Sequence, residues 1–387
     1  MREHVVPASI ALMAAVVLAA CGTEAAVRPG GRPSSDPAVA PRIPSAPELP
    51  GQAAFVSFAD ERNGFVIMVD CTGEETGEGR RCRQRVAVLE GGRWWLRRSP
   101  LPEVTGGEGI TADVFALGPG RASITEGTGV RPDRTWYTDD GARTWRPGTT
   151  EVSGTVQAIP EAAPLSSDCL RIAEGACART RLVVTMPDSG ERRELATQPP
   201  LEGVVSPAGS SRDGGQWVSG LDPGSGTPAV AVSHDRGRTW RTHRLPGPKL
   251  ENTWGFRVVD GRDALYAAEF GQLPAEEQVK NGLGAIHRST DGGRTWERVW
   301  AFRSGHEPRS MLADPVAAAD GSLTIYGESG VHRSDDGGRS FREIADGGLL
   351  GAASRTEIGY LWSHGGEQGR YGVSADGVRW HTFTLGS

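Results

Sequence analysis

Seven times along this chain the same short pattern returns, and its period limits the available folds more than any other feature. The pattern is Ser-x-Asp-x-Gly-x-Thr-Trp. It is plainest as STDGGRTW from Ser289, and recurs as TDDGARTW from Thr138, SHDRGRTW from Ser233, SDDGGRSF from Ser334 and, one residue shorter, SADGVRW from Ser374. Two eroded copies fit the same frame: VLEGGRWW from Val88, with Glu90 in the acidic position, and PDSGERRE around Asp188. The acidic positions are thus 90, 140, 188, 235, 291, 336 and 376, separated by 50, 48, 47, 56, 45 and 40 residues. A unit of that length holds about four short strands and their turns.

The stretches between the copies agree with this. In the fifth unit the apolar segments WGFRVVD, ALYAAEF, GAIHRS and WERVWAF are divided by glycine and polar turns; in the sixth they are MLADPVAAA, LTIYGE, GVHRS and FREIA. These short or alternating runs read as strands, and no stretch has a helical apolar period. The expected fold is all-β: a seven-bladed β-propeller of four antiparallel strands per blade over residues 51–387. Both ends supply complete blades, so closure of the ring is expected from packing and not from a shared blade. The role of the terminal HTFTLGS stays open.

Each residue type in the pattern suits a tight turn. The Asp carboxylate accepts from turn N–H groups, Gly supplies positive φ, the hydroxyl closes the turn, and the aromatic packs on a neighbouring sheet. Asp140, Asp235, Asp291, Asp336 and Asp376 therefore read as structural. A calcium loop would need ligands through position 12 between two helices, and no copy has that context.

The pattern resembles the Asp box, or BNR repeat, of sialidases, sortilin-type receptors, a photosystem II assembly factor family and certain xyloglucan-active glycosidases. The resemblance covers nearly all of residues 53–387. It implies that each box is the turn between the third and fourth strands of a blade, and that ligands bind on the opposite face. That face is expected to be built by loops 70–82, 126–135, 220–228, 269–284 and 363–370, with inter-blade loops 99–110 and 302–310. Candidate ligand-binding residues are Trp254 and Arg257 on the innermost strand of blade five, His306, Glu307 and Arg309 in the loop before blade six, and Arg355 near the innermost strand of blade seven. They form either a polar rim with an aromatic platform, suited to a sugar or an acidic peptide, or an ordinary solvated rim.

Sialidase chemistry asks for three arginines on the substrate carboxylate, a tyrosine nucleophile with a glutamate partner and an aspartate acid. The Arg42-Ile43-Pro44 tripeptide matches part of the motif for the first arginine, but Pro41 stands where that family has an aromatic residue. Tyr266, Tyr326 and Tyr360 fall on expected second strands, and Tyr137 and Tyr371 on third strands, so none sits on an axis-lining first strand. No nucleophile elbow, P-loop, dinucleotide fingerprint or HExxH motif occurs. No catalytic residue, metal site or cofactor is assigned. His287 and His332 each precede a repeat serine by two residues and read as structural equivalents.

At the N-terminus, Arg2 and His4 precede the apolar run SIALMAAVVLAAC, which is too short for a normal transmembrane span. Its end, Leu18-Ala19-Ala20-Cys21, resembles the lipobox of bacterial lipoproteins. By that resemblance residues 1–21 are a signal segment, and Cys21 becomes a lipidated first residue on the outer face of the membrane. Residues 22–50, rich in Pro, Ser and Ala, read as an extended tether. The remaining cysteines form two close pairs, Cys71 with Cys82 and Cys169 with Cys177, as expected of local disulfides in an oxidising compartment. They lack the CxxC spacing of a zinc site. With 23% charged residues and a net charge of -6, nothing suggests a nucleic-acid partner. The reading is an exported, membrane-anchored, non-catalytic binding or assembly module for a protein or glycan, with an exo-acting glycosidase of sialidase type as the alternative.

Overall fold

The computed structural model describes residues 39–73, 79–105, 112–127, 134–173, 176–274, 279–346, 351–364 and 369–386. Cys21, the rest of the apolar leader and residues 22–38 lie outside these, as do parts of the rim loops named above. The described residues form seven sheets and no helix, a seven-bladed β-propeller.

Blade one comprises Gln52–Asp60, Asn63–Thr72, Arg81–Glu90 and Arg93–Arg97, with the short Val104–Thr105 also paired to its third strand. Blade two comprises Ala112–Gly118, Arg121–Glu126, Arg134–Thr138 and Arg146–Pro147. Blade four comprises Glu202–Ser210, Gln216–Leu221, Pro228–Ser233 and Arg241–Arg244; blade five comprises Asn252–Asp260, Leu265–Gln272, Gly282–Ser289 and Glu297–Ala301. Blade six comprises Val316–Ala317, Leu323–Tyr326, Gly330–Ser334 and Arg342–Asp346; blade seven comprises Ala352–Thr356, Gly359–Ser363, Arg370–Ser374 and His381–Thr384. In these six blades each strand pairs antiparallel with the next.

Blade three differs. Val152–Val156, first in sequence, lies parallel to Arg192–Leu195 at the edge opposite Leu165–Ala173, with Ala176–Thr185 between. The chain from Ile159 to Pro164 contains two prolines, which give no ladder donor. It is also tied elsewhere, since the Ile159 N–H donates to the Arg236 carbonyl of blade four at 2.7 Å.

Both faces of a blade pack on neighbours, so apolar residues dominate the buried parts of the middle strands, least so in blade three. Phe65, Ile67, Val86 and Val88 of blade one meet Val114 and Ile124 of blade two, all buried. Trp217, Val230 and Val232 of blade four meet Phe256 and Val258 of blade five in the same way. Each such side chain contributes about 1.5–3 kcal/mol when fully buried.

The ring closes where composition placed the end of a tether. Residues 41–49 are packed, with Ile43 1%, Ala46 2% and Leu49 6% exposed, against Phe58, Trp94, Ile358, Phe383 and Leu385. The Trp94 indole donates to the Pro44 carbonyl at 2.8 Å, the Ala46 N–H donates to Thr384 at 2.8 Å, and the Gly386 N–H donates to Ala46 at 3.1 Å. The structure thus moves the end of any tether back from residue 50 to the start of this packed segment. The prolines hold the segment extended, and its spaced apolar residues fill the seam between blades one and seven. Gly386 has φ 69° and lies against the Gly51 carbonyl, so any side chain there would overlap it.

The repeat aspartates sit at third-to-fourth-strand turns. Asp291 accepts from the Thr295 N–H (2.9 Å), the Thr295 hydroxyl (2.7 Å) and the Ser289 hydroxyl (2.8 Å), while Ser289 in turn accepts from the Gly293 N–H (2.8 Å). Asp140, Asp235 and Asp336 make the same set with their own Thr or Ser residues. In the shorter copy Asp376 takes the Val378 and Arg379 N–H groups, both at 2.9 Å, and the Arg379 guanidinium at 2.8 Å. The eroded copies differ, since Glu90 instead receives Arg143 from blade two at 3.1 Å. The repeat aromatics pin each turn to the preceding blade: Trp145 donates to the Arg98 carbonyl, Trp240 donates to that of Thr197, and Trp296 meets Trp217 edge-on at 5.9 Å. Because Asp376 is buried and charge-assisted bonds are stronger than neutral ones, Asp376→Ala is expected to cost about 3 kcal/mol. Urea unfolding of the variant, showing a lower midpoint at unchanged slope, checks this.

Candidate functional site

In blades other than the third the first strand turns one edge to the central axis, and with residues 162–164 ahead of Leu165–Ala173 in blade three these segments line a channel. Two connected cavities occupy it. One, of ≈ 440 Å³, lies among residues 54–58, 113–116, 162–164 and 352–357. The other, of ≈ 970 Å³, shares residues 162–164 and 354–357 and extends past Pro207, Arg257 and Asp314 to His234 and Arg236.

Asp314 organises the second cavity. Its Oδ1 lies 3.2 Å from Nε of Arg257, and its Oδ2 accepts from the Arg355 N–H at 3.0 Å. Arg257 also covers the Phe270 ring at 4.8 Å, and Arg355 covers the Tyr360 ring at 5.3 Å. Asp314 thus joins two of the sequence candidates, Arg257 and Arg355. Sequence reasoning missed it, because it precedes the short first strand of blade six within an otherwise apolar run; being the one charge in MLADPVAAA was the available signal. In the first cavity Asp113 is reached by solvent yet enclosed by the channel wall, and this loss of hydration raises its pKa above the ordinary carboxylate value.

The other candidates lie elsewhere. Trp254 is 48% exposed and meets Phe270 edge-on at 6.4 Å. Glu307 and Arg309 form a pair of their own at 2.7 Å, and Glu307 also accepts from the Ser329 hydroxyl at 2.6 Å and stands 3.7 Å from Nε2 of buried His332. Burial raises the Glu307 pKa, but the Ser329 and Arg309 hydrogen bonds outweigh it and the net shift is downward. His306 is exposed and turned to the Ser304 carbonyl. The five tyrosines lie on the strands assigned from sequence. Three of them donate to backbone carbonyls: Tyr137 to Pro187, Tyr360 to Ala317 and Tyr371 to Ala53.

Both disulfides form, Cys71–Cys82 and Cys169–Cys177. Each staples a long second-to-third-strand hairpin on the face away from the repeat aspartates. Disulfides of this kind point to an extracytoplasmic protein. Among the described residues no helix is long and apolar enough to cross a membrane.

No family model and no curated protein matches the chain. Several solved structures are similar to it. YCF48 bound to D1 peptide is 15% identical, with 90% of this chain and 88% of that one covered and a TM-score of 0.31. The β-propeller domain of the Trilobed protease from Pyrococcus furiosus is 10% identical, with 86% and 95% covered and a TM-score of 0.43. The Hadza microbial sialidase Hz136 is 15% identical, with 87% of this chain but only 65% of that one covered and a TM-score of 0.31. At these identities the likeness concerns the fold alone.

Proposed function

We propose that this chain is an extracytoplasmic, non-catalytic binding or assembly module, anchored by a lipidated Cys21. Its repeat turns are read as Asp boxes, and its protein or glycan partner is taken on the opposite face. The observation that carries the reading is the state of the channel wall. The Arg257 guanidinium is held on Asp314 and over Phe270, and the Arg355 guanidinium lies over the Tyr360 ring while Asp314 takes its backbone N–H, so neither is presented as part of a free carboxylate-binding set; three of the tyrosines use their hydroxyls on backbone carbonyls. A wall so engaged supports recognition at the rim over chemistry in the channel. The test has two arms. Release of 4-methylumbelliferone from its sialoside is expected to be no greater than with the Arg257→Ala variant; turnover that this substitution abolishes would establish the glycosidase alternative. In-cell crosslinking from p-benzoylphenylalanine placed at position 254 is expected to give a discrete adduct, and its absence counts against the binding module.

A further inference from the structure

The stapled hairpin of blade three is more exposed than its counterpart in blade one, where Val69 and Cys82 are buried. From Cys169 to Ala173 every residue is exposed, including Leu170 at 49% and Ile172 at 72%. Across the ladder Arg171 lies directly opposite Arg179. Like charges in opposed positions destabilise a strand pair, and neither arginine has a carboxylate partner among the described residues. Arg181, two residues further on, is by contrast bound by Asp168 at 3.0 Å and Glu194 at 2.8 Å. In blade one the equivalent hairpin sets Arg83 opposite Asp70, a favourable pair. Beneath the blade-three arm lies a groove of ≈ 910 Å³ toward blade four, lined by Leu170, Arg171 and Arg179 on one side and by Leu201 and Leu221 on the other.

We infer that this arm and groove form a docking site for an extended acidic segment of a partner protein that carries apolar residues beside its carboxylates. The inference rests on the binding-module reading and names the partner's chemistry. A carboxylate between Arg171 and Arg179 removes their mutual repulsion and forms charge-assisted hydrogen bonds. The neighbouring side chains of the segment cover Leu170 and Ile172. Among the described residues no strand pairs with the second edge of Leu165–Ala173, so a backbone can pair along it. The disulfide holds the two arginines in place before binding, which lowers the ordering cost. A polyanion such as nucleic acid fits less well, because it leaves the exposed leucine and isoleucine uncovered and meets a chain of net charge -6.

Fluorescence anisotropy of the full chain with a fluorescein-labelled decapeptide of alternating glutamate and valine tests the site. Saturable binding is expected, weakened at least tenfold in Arg171→Glu/Arg179→Glu, severalfold in the milder Arg171→Gln/Arg179→Gln, and severalfold in Ile172→Ser, with unchanged melting temperatures. A lysine–valine decapeptide is expected not to bind. Failure of the acidic probe to bind, equal binding by the arm variants, or stronger binding of single-stranded DNA than of the peptide each overturns the inference. The crosslinking adduct from position 254 is read separately, so loss of the arm site and loss of the binding-module reading are distinguishable.

Discussion

A fragment beginning at residue 51 is expected to melt roughly 10 °C below one beginning at residue 39, although it keeps every strand of all seven blades. The fragment lacks Ile43, Ala46 and Leu49, all almost fully buried between blades one and seven. Together their burial amounts to about 5 kcal/mol, two large side chains and one small one at the usual contribution per residue. It also leaves the Trp94 indole and the strand-end groups at Thr384 and Gly386 without their partners at Pro44 and Ala46. Calorimetry of the two fragments decides the matter. Equal melting temperatures would mean that the sheets close the ring unaided and that segment 41–49 is an accessory.

The second large effect is in pH. His287 is 3% exposed and stands against Phe256, and burial, assisted by the Arg298 guanidinium, lowers its pKa to about 4. In the unfolded chain it returns to 6.5, so between these values the unfolded state binds the extra proton and stability falls as pH falls. The contribution is fully present above 6.5 and amounts to a loss of about 3 kcal/mol by pH 4. His332 and His243 are shifted downward as well, first by burial, and act in the same direction. Below this window the turn carboxylates take over. Asp235, lowered to about 2 first by the Thr239 hydroxyl and then by its N–H, stabilises above 3.8 and loses that contribution as pH falls toward 2. His287→Leu removes the main proton acceptor of the upper window, and the wild-type Nδ1 has no hydrogen-bond partner among the described residues. Urea midpoints at pH 7 and pH 4.5 are therefore expected to differ much less in the variant; an undiminished difference would assign the acid lability to other groups.

Much of the fold was legible because the information is local and repeated. A Ser, an Asp, a Gly and a Thr within seven residues satisfy one another across a single turn, so five copies at a regular interval announce five hairpins before any long-range contact is known. The blade assignments of Arg257, Arg355 and all five tyrosines followed from counting strands around those turns. Glu90 and Asp188 were less legible, because once the hydroxyl partners are gone the acid is free to bond elsewhere, and Glu90 turns to Arg143 of the next blade. The candidate site was hardest to see. Asp314 has no motif around it, and it matters only because the ring brings residues 257 and 355 to the same wall.

What the sequence by itself determined was the element type, the number of sheets and the disulfide partners, all fixed by spacing along the chain and by the turn chemistry of short segments. The tertiary structure alone decided how residues 41–49 seal the ring, why Val152–Val156 leaves the inner edge of blade three, and that Arg171 faces Arg179 without a described counter-charge. These are contacts between segments far apart in the chain or across a bulged register. Composition and periodicity carry no term for them, because the free energy depends on which surfaces the closed ring brings together.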